Sequence, residues 1–122
     1  MVDRDAMARG REILDPLAER LCALPGIDTG RMFGTEGLRV RGKVFAFVTH
    51  NGSLVVKLPE ERIGELIDEG VAGPMIMRGR PLREWAEVPI TAAPTWEPLV
   101  DEARAFVDAI TPKREGAETA SD

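Results

Sequence analysis

A chain of 122 residues, 43% hydrophobic and 30% charged, suits one globular domain, large enough to bury somewhat under ~70% of its unfolded surface and to hold a core without staples. Its formal charge of −5 repels a phosphate backbone on average, so nucleic-acid binding would require arginines clustered against that background. A single cysteine excludes an internal disulfide and a multi-cysteine metal site. With no apolar leader and no run of about 18 apolar residues, neither export nor membrane insertion is signalled, and the expected location is the cytoplasm.

Residues 3–24 read as a helix, with Ile13, Leu14, Leu17, Ala18, Leu21 and Leu24 spaced as one buried stripe. Asp15-Pro16 leaves two forms open, a kinked helix or two abutting ones, because an interior proline loses a hydrogen bond whereas one following an Asp cap is tolerated. Cys22, on this apolar helix, is expected as a small core residue. Pro25-Gly26-Ile27-Asp28 stops the helix, Arg31-Met32-Phe33-Gly34 begins a short strand, and Thr35-Glu36-Gly37 forms a loop.

The next stretch reads as a β-meander with strands 38–41, 43–50 and 53–58, divided by Arg41-Gly42 and Asn51-Gly52. Asn-Gly is the strongest short hairpin signal, because a type I′ turn needs φ > 0 at both central residues. Two-residue loops put Leu38 opposite Phe45, Phe45 opposite Leu58, Phe47 opposite Val56 and Thr49 opposite Leu54. One face is then Leu38, Val40, Phe45, Phe47, Leu54, Val56 and Leu58, to be covered by helices; the reverse, with Val44, Ala46, Val48 and Val55, is smaller and more mixed. That reverse patch invites a homodimer, unless the N-terminal helix of the same chain covers it.

Pro59-Glu60-Glu61 opens a second helix, with a proline at the first helical position and carboxylates at the positive end; Ile63, Leu66 and Ile67 form its stripe and Gly70 ends it. Met75 to Met77 is a short strand, Arg78-Gly79-Arg80-Pro81-Leu82-Arg83-Glu84-Trp85 a turn carrying three arginines, and a further extended run reaches Ile90, with Pro89 at a strand end. Thr95 is the expected N-cap of a last helix with Leu99, Ala103, Phe106, Val107 and Ile110 on its apolar face. Residues 1–112 form one domain. Residues 113–122 have no apolar anchor and are expected to be disordered. The fold class is α+β, an antiparallel meander flanked by N-terminal, central and C-terminal helices.

No catalytic, metal or cofactor site emerges. The lone His50 sits beside the Asn51-Gly52 turn and Cys22 on another element, so the two do not read as a nucleophile and its base. Glu60-Glu61 and Asp68-Glu69 read as helix-terminal or solvated charges, and no phosphate-loop pattern of glycines occurs. Phe45, Phe47 and Phe106 are core by default, Met32, Phe33, Met75 and Met77 fill gaps, and Trp85 and Trp96 sit at element boundaries as lids over the core.

Met32-Phe33-Gly34, Gly37-Leu38, Gly42-Lys43, Val56-Lys57-Leu58 and Gly79-Arg80-Pro81-Leu82-Arg83-Glu84-Trp85 together resemble the N-terminal domain of the TfoX/Sxy family over roughly residues 10–110. In regulators of natural competence such a domain precedes a helical C-terminal domain, so the resemblance implies a stand-alone N-terminal module: one antiparallel sheet flanked by helices, with no catalytic residue set attached. It implies a non-enzymatic regulatory or protein-interaction role. The alternative is nucleic-acid binding by a stripe of Arg39, Arg41, Arg78, Arg80 and Arg83. The candidate interaction site is Arg78, Arg80, Arg83 and Trp85, for an unknown protein partner, because three cations within six residues of an acidic chain exceed the needs of solubility. The structural alternative is that these arginines pair with Glu84, Glu87 and the acidic helix 60–69, or cover the edge of Trp85.

Overall fold

The structure is a computed structural model and describes residues 4–32 and 35–111. Phe33, Gly34 and the expected tail 113–122 lie outside the described residues. In chain order the elements are α1 (Arg4–Cys22), β1 (Ile27–Met32), β2 (Thr35–Val40), β3 (Lys43–Val48), β4 (Leu54–Lys57), α2 (Glu60–Asp68), β5 (Gly73–Met77), β6 (Arg80–Val88), a 3-10 helix (Ile90–Thr95) and α3 (Trp96–Ile110). The expected α+β fold is found. Its strands form one antiparallel sheet in the order β1-β2-β3-β4-β6-β5.

The three helices share one face of that sheet. Leu14 and Leu21 of α1, Ile63 and Leu66 of α2, and Trp96, Leu99, Val100, Ala103 and Val107 of α3 join Leu38, Val40, Phe45, Ala46, Val48, Leu54, Val56 and Leu58 in a single core. α3 lies in the middle: Arg20 of α1 reaches Glu97 and Asp101, both at 3.2 Å, and Arg62 of α2 reaches Glu102 at 2.9 Å. α1 runs unbroken through Pro16, whose ring is exposed, as is Glu12 one turn earlier, so the carbonyl deprived of a donor faces water rather than the core. Gly70, at φ +76°, ends α2 as expected, and Val71 donates back to the Leu66 carbonyl at 2.9 Å.

The register departs from expectation at two places. Arg41-Gly42, at φ +48° and +86°, is the two-residue turn, and Val40 pairs with Lys43. At Asn51-Gly52 only the glycine has positive φ, and the loop holds three residues: Gly52 donates to the Thr49 carbonyl at 3.0 Å and Thr49 to the Ser53 carbonyl at 2.8 Å. The Thr49 hydroxyl pairs with the Asn51 side chain and accepts from the Ser53 amide at 3.2 Å, a local network that favours the longer loop. This slips β3 by one residue against β4, giving Ala46↔Val56, Phe47↔Val55 and Val48↔Leu54. A one-residue slip reverses faces, so Ala46 and Val48 go beneath the helices and Phe47 turns away from them.

A bulge then restores the pattern on the other side of β3. Leu38 pairs with Ala46 and Arg39 with Val44, leaving Phe45 as the extra residue, so that Phe45 and Ala46 both join the core. Phe45 thus keeps its expected place although neither Leu38 nor Leu58 pairs with it. Phe47 packs on the helix-free face, its ring 6.0 Å from that of Trp85 in an edge arrangement, and is 3% exposed. Phe47→Ala is expected to lower stability by about 3 kcal/mol, the low end for a buried ring, with an unchanged midpoint in urea refuting the packing.

Other placements differ as well. β1 starts at Ile27, four residues before the expected strand, and β2 includes the expected loop 35–37. Cys22 is exposed: Leu21, 1% exposed, takes the inward position, and the next residue turns outward. Leu24, Ile67 and Ile110 are likewise exposed, while Trp96 and Val100, absent from the expected stripe, are fully buried. Thr95 makes no cap; its hydroxyl closes the 3-10 turn by donating to the Ala92 carbonyl at 2.7 Å. Pro59 sits one position before its expected place, as the residue preceding α2. Of the patch drawn for self-association, Ala46 and Val48 are buried under helices, and Val44 and Val55 remain on the reverse face.

Candidate functional site

The part of the sheet that stands out from the body is the β5–β6 hairpin. β4 pairs with β6 from Trp85 to Val88, and Leu58 donates to the Glu84 carbonyl at 3.0 Å, so residues 80–83 run past the end of β4 and pair only with β5. Between Pro74↔Ala86 and Met75↔Leu82 the register jumps, which leaves Arg83, Glu84 and Trp85 as extra residues of β6. A wide bulge of this kind bends the strand and re-aims its side chains. Pro74 and Pro81 lack an N–H, and a proline on a strand edge blunts it against pairing with another chain.

At the tip, Arg78-Gly79 at φ +55° and +77° form the two-residue turn between Met77 and Arg80. A side chain in the left-handed region costs of order 1–2 kcal/mol, which is why glycine or asparagine is the usual occupant. Arg78, Arg80 and Arg83 are all exposed, and among the described residues Arg78 and Arg80 make no ion pair. Arg83 touches Glu60 loosely, at 3.8 Å, with its side chain 85% exposed. Trp85 anchors the base of the arm, half-buried against Phe47, with the Lys57 ammonium 5.5 Å from its ring centre. Between the arm and the start of α2 lies an open cleft of about 410 Å³ lined by Lys57, Glu60, Leu82, Arg83, Glu84 and Trp85. Ile76, 52% exposed on β5, adds an apolar contact to the arm that the sequence had not singled out.

The other two arginines of the expected stripe are occupied. Arg39 grips Asp28 across the β1–β2 ladder with two bonds, of 2.9 and 2.8 Å. That bond holds the Asp28 carboxyl below its ordinary range, so any stability the pair contributes is present above the unfolded carboxylate pKa and is lost as pH falls through the lowered one. Arg41 closes the C-terminus of α3: its guanidinium donates to the Asp108 and Thr111 carbonyls at 2.8 and 2.6 Å and meets the Asp108 carboxylate at 2.7 Å. Cations suit this end of a helix, where carbonyls have no intrahelical donor. With its side chain 17% exposed, Arg41→Met is expected to lower the denaturation midpoint by an amount corresponding to about 1–3 kcal/mol. A change within about 0.5 kcal/mol would deny the capping role. Both residues lie on or beside β2, separated from the arm by β3 and β4, so the five arginines form no continuous stripe.

Elsewhere, partial desolvation and then Asp28 push the thiol of the exposed Cys22 upward, away from the thiolate a nucleophile needs, and His50 lies exposed in the β3–β4 turn. No group of three His, Cys, Asp or Glu that could hold a metal occurs among the described residues, and no helix there is long and apolar enough to cross a membrane.

With the meander, the α2 connection and the arm in view, comparison with protein families gives one result: the model of the TfoX N-terminal domain matches residues 19–109. The chain belongs to this family. The match begins in the last turn of α1 and runs into the last turn of α3, so the whole sheet and the arginine arm lie within the TfoX N-terminal domain. No match is found among curated proteins.

Proposed function

We propose that this TfoX N-terminal domain is a non-enzymatic, regulatory interaction module that binds a protein partner through the β5–β6 arm. One observation carries the reading. Arg20, Arg39, Arg41 and Arg62 each hold a carboxylate within the fold, whereas Arg78 and Arg80 sit at the tip with none among the described residues, and no side-chain hydrogen bond there accompanies the left-handed backbone at Arg78. The contrast with Arg41 supports this, since that arginine has the same left-handed backbone and caps α3.

Surface charges that make no internal pair contribute little to folding, so Arg78→Ala with Arg80→Ala is expected to shift the denaturation midpoint by less than about 1 kcal/mol while abolishing partner contact. A photo-crosslinking side chain at Pro81 reads that contact, with one at the open Gly64 position of α2 as control. The expected result is a discrete protein adduct from position 81 alone, lost in the double variant. Identical adducts from both positions, or several kcal/mol of lost stability, would assign the arginines to the fold instead.

The second reading, nucleic-acid binding, rests on the same three arm arginines once Arg39 and Arg41 are committed internally. Phosphate contacts impose a steep salt dependence, so a gel-shift titration at low and moderate salt tests it; the interaction reading expects no arginine-dependent shift. Pairing of two chains across the helix-free face is a separate proposal, for which only the half-buried Val44 of the expected patch is accessible, since Val55 has no solvent exposure; sedimentation showing a monomer at high micromolar concentration removes it.

A further inference from the structure

We propose that the arm recognises a short acidic segment that carries an apolar side chain beside its carboxylates. This rests on the interaction reading above and specifies the partner's chemistry. From Gly70 to Arg83 the chain has no acidic residue, and the three arginines there are its only charges; with a net charge of −5 for the whole, the remainder carries −8. A strongly acidic body repels a long polyanion over many contacts, yet leaves a cationic projection free to take a short one. The guanidinium fork suits a carboxylate, which it holds with two parallel hydrogen bonds.

The apolar part of the partner is specified by what surrounds the cations. Ile76 is 52% exposed and pairs across the hairpin with Pro81, also exposed; Leu82 and Trp85 line the neighbouring cleft, but Glu60 and Glu84 line it too, so the segment's carboxylates are received at the tip, by Arg78 and Arg80, and not in the cleft. Apolar groups beside arginines complement a segment that carries acidic and apolar residues on the same side, whereas a uniformly charged backbone would leave Ile76 and Pro81 without a counterpart. Strand addition is a poor mode here, because Pro74 on β5 and Pro81 on β6 interrupt the edges. Recognition therefore runs through side chains.

The test uses the full chain and fluorescence anisotropy with four labelled probes. The first is a peptide of about ten residues built of Glu-Glu-Leu-Leu repeats, long enough to follow the arm at ~3.3 Å per residue and placing both residue types on each side of an extended chain. The second replaces each Glu with Gln, the third replaces each Leu with Ser, and the fourth is a mixed-sequence DNA duplex. The Glu/Leu peptide is expected to bind best, with the Gln and Ser versions each weaker by about tenfold or more, as the loss of one good contact would give. Arg78→Ala with Arg80→Ala is expected to weaken the Glu/Leu peptide by about tenfold or more, and Ile76→Ser to erase its advantage over the Ser version. Denaturation midpoints of the variants control for folding. If the Gln version binds as well as the Glu version, or no peptide binds, the acidic-segment inference is overturned while the position-81 adduct still stands or falls by itself. If the duplex binds more tightly than every peptide and does so through Arg78 and Arg80, the inference and the protein-interaction reading both fall.

Discussion

Trp96→Ala is expected to lower folding stability by about 3–5 kcal/mol, read as a fall in denaturant midpoint at unchanged m. Trp96 begins α3, has no solvent exposure, and donates its indole N–H to the Pro89 carbonyl at 3.3 Å, joining the helix to the end of β6. α3 is the middle helix of the layer, with α1 and α2 pinned to it by Arg20 and Arg62, so a cavity at its first turn is felt by the whole layer rather than at a free edge. The cost has two parts, lost transfer free energy and an unfilled space, and a packed interior recovers little of the second. Trp96→Phe separates them. It keeps most of the ring and deprives the Pro89 carbonyl of its donor, so about 1–2 kcal/mol is expected. An alanine variant losing less than about 1 kcal/mol would mean that the site collapses freely and that α3 does not organise the core.

Much of the fold was legible because its punctuation was local. Arg41-Gly42 and Gly70 announce a turn and a helix end by conformational requirement alone, and the structure uses both as expected. The sheet faces were harder. Val44-Phe45-Ala46-Phe47-Val48 is apolar at every position, so alternation could not choose a register, and the choice passed to the loop. One residue more in the Asn51-Gly52 loop, held by Thr49 and Ser53, then sent Phe47 to the face opposite the helices. The bulge at Phe45 that compensates has no sequence marker, since its purpose is to reconcile two neighbouring strands.

The arm was legible for a different reason. Charge against the global sign is visible in a sequence, and Arg78, Arg80 and Arg83 are indeed gathered on one hairpin. What the sequence could not sort was which arginines are free. Asp28 and Arg39 meet only because β1 and β2 pair in a particular register, and Arg41 finds the end of α3 some seventy positions later in the chain. Such contacts follow from tertiary structure, and they separate Arg39 and Arg41, bound into the fold, from Arg78 and Arg80 at the tip.

Substitutions at three glycines are expected to differ in sign. On an isolated helix Gly→Ala stabilises by about 1 kcal/mol. Gly64 of α2 has open space around it, so Gly64→Ala is expected to gain about 0.5–1 kcal/mol. Gly10 of α1 has none: a Cβ there would stand 2.6 Å from the Gly52 carbonyl oxygen and 2.9 Å from a Val48 methyl. Backbone on the far side of a contact yields less easily than a flexible side-chain end, so overpacking of about 1–3 kcal/mol outweighs the helical gain and Gly10→Ala should be destabilising. Gly52 is the most constrained of the three. It sits at φ +87°, and a Cβ would fall well inside contact distance of the Ala6 carbonyl oxygen, so a side chain meets both the left-handed penalty and the backbone of α1. Gly52→Val is expected to lose about 2–5 kcal/mol, the sum of ~1–2 for the conformation and ~1–3 for the displaced helix. Thermal or urea denaturation of the three variants reads all the signs at once. A Gly10→Ala protein as stable as Gly64→Ala would show that the first turns of α1 do not seat against the β3–β4 loop, and the contact of Ala6, Gly10 and Gly52 would have to be abandoned.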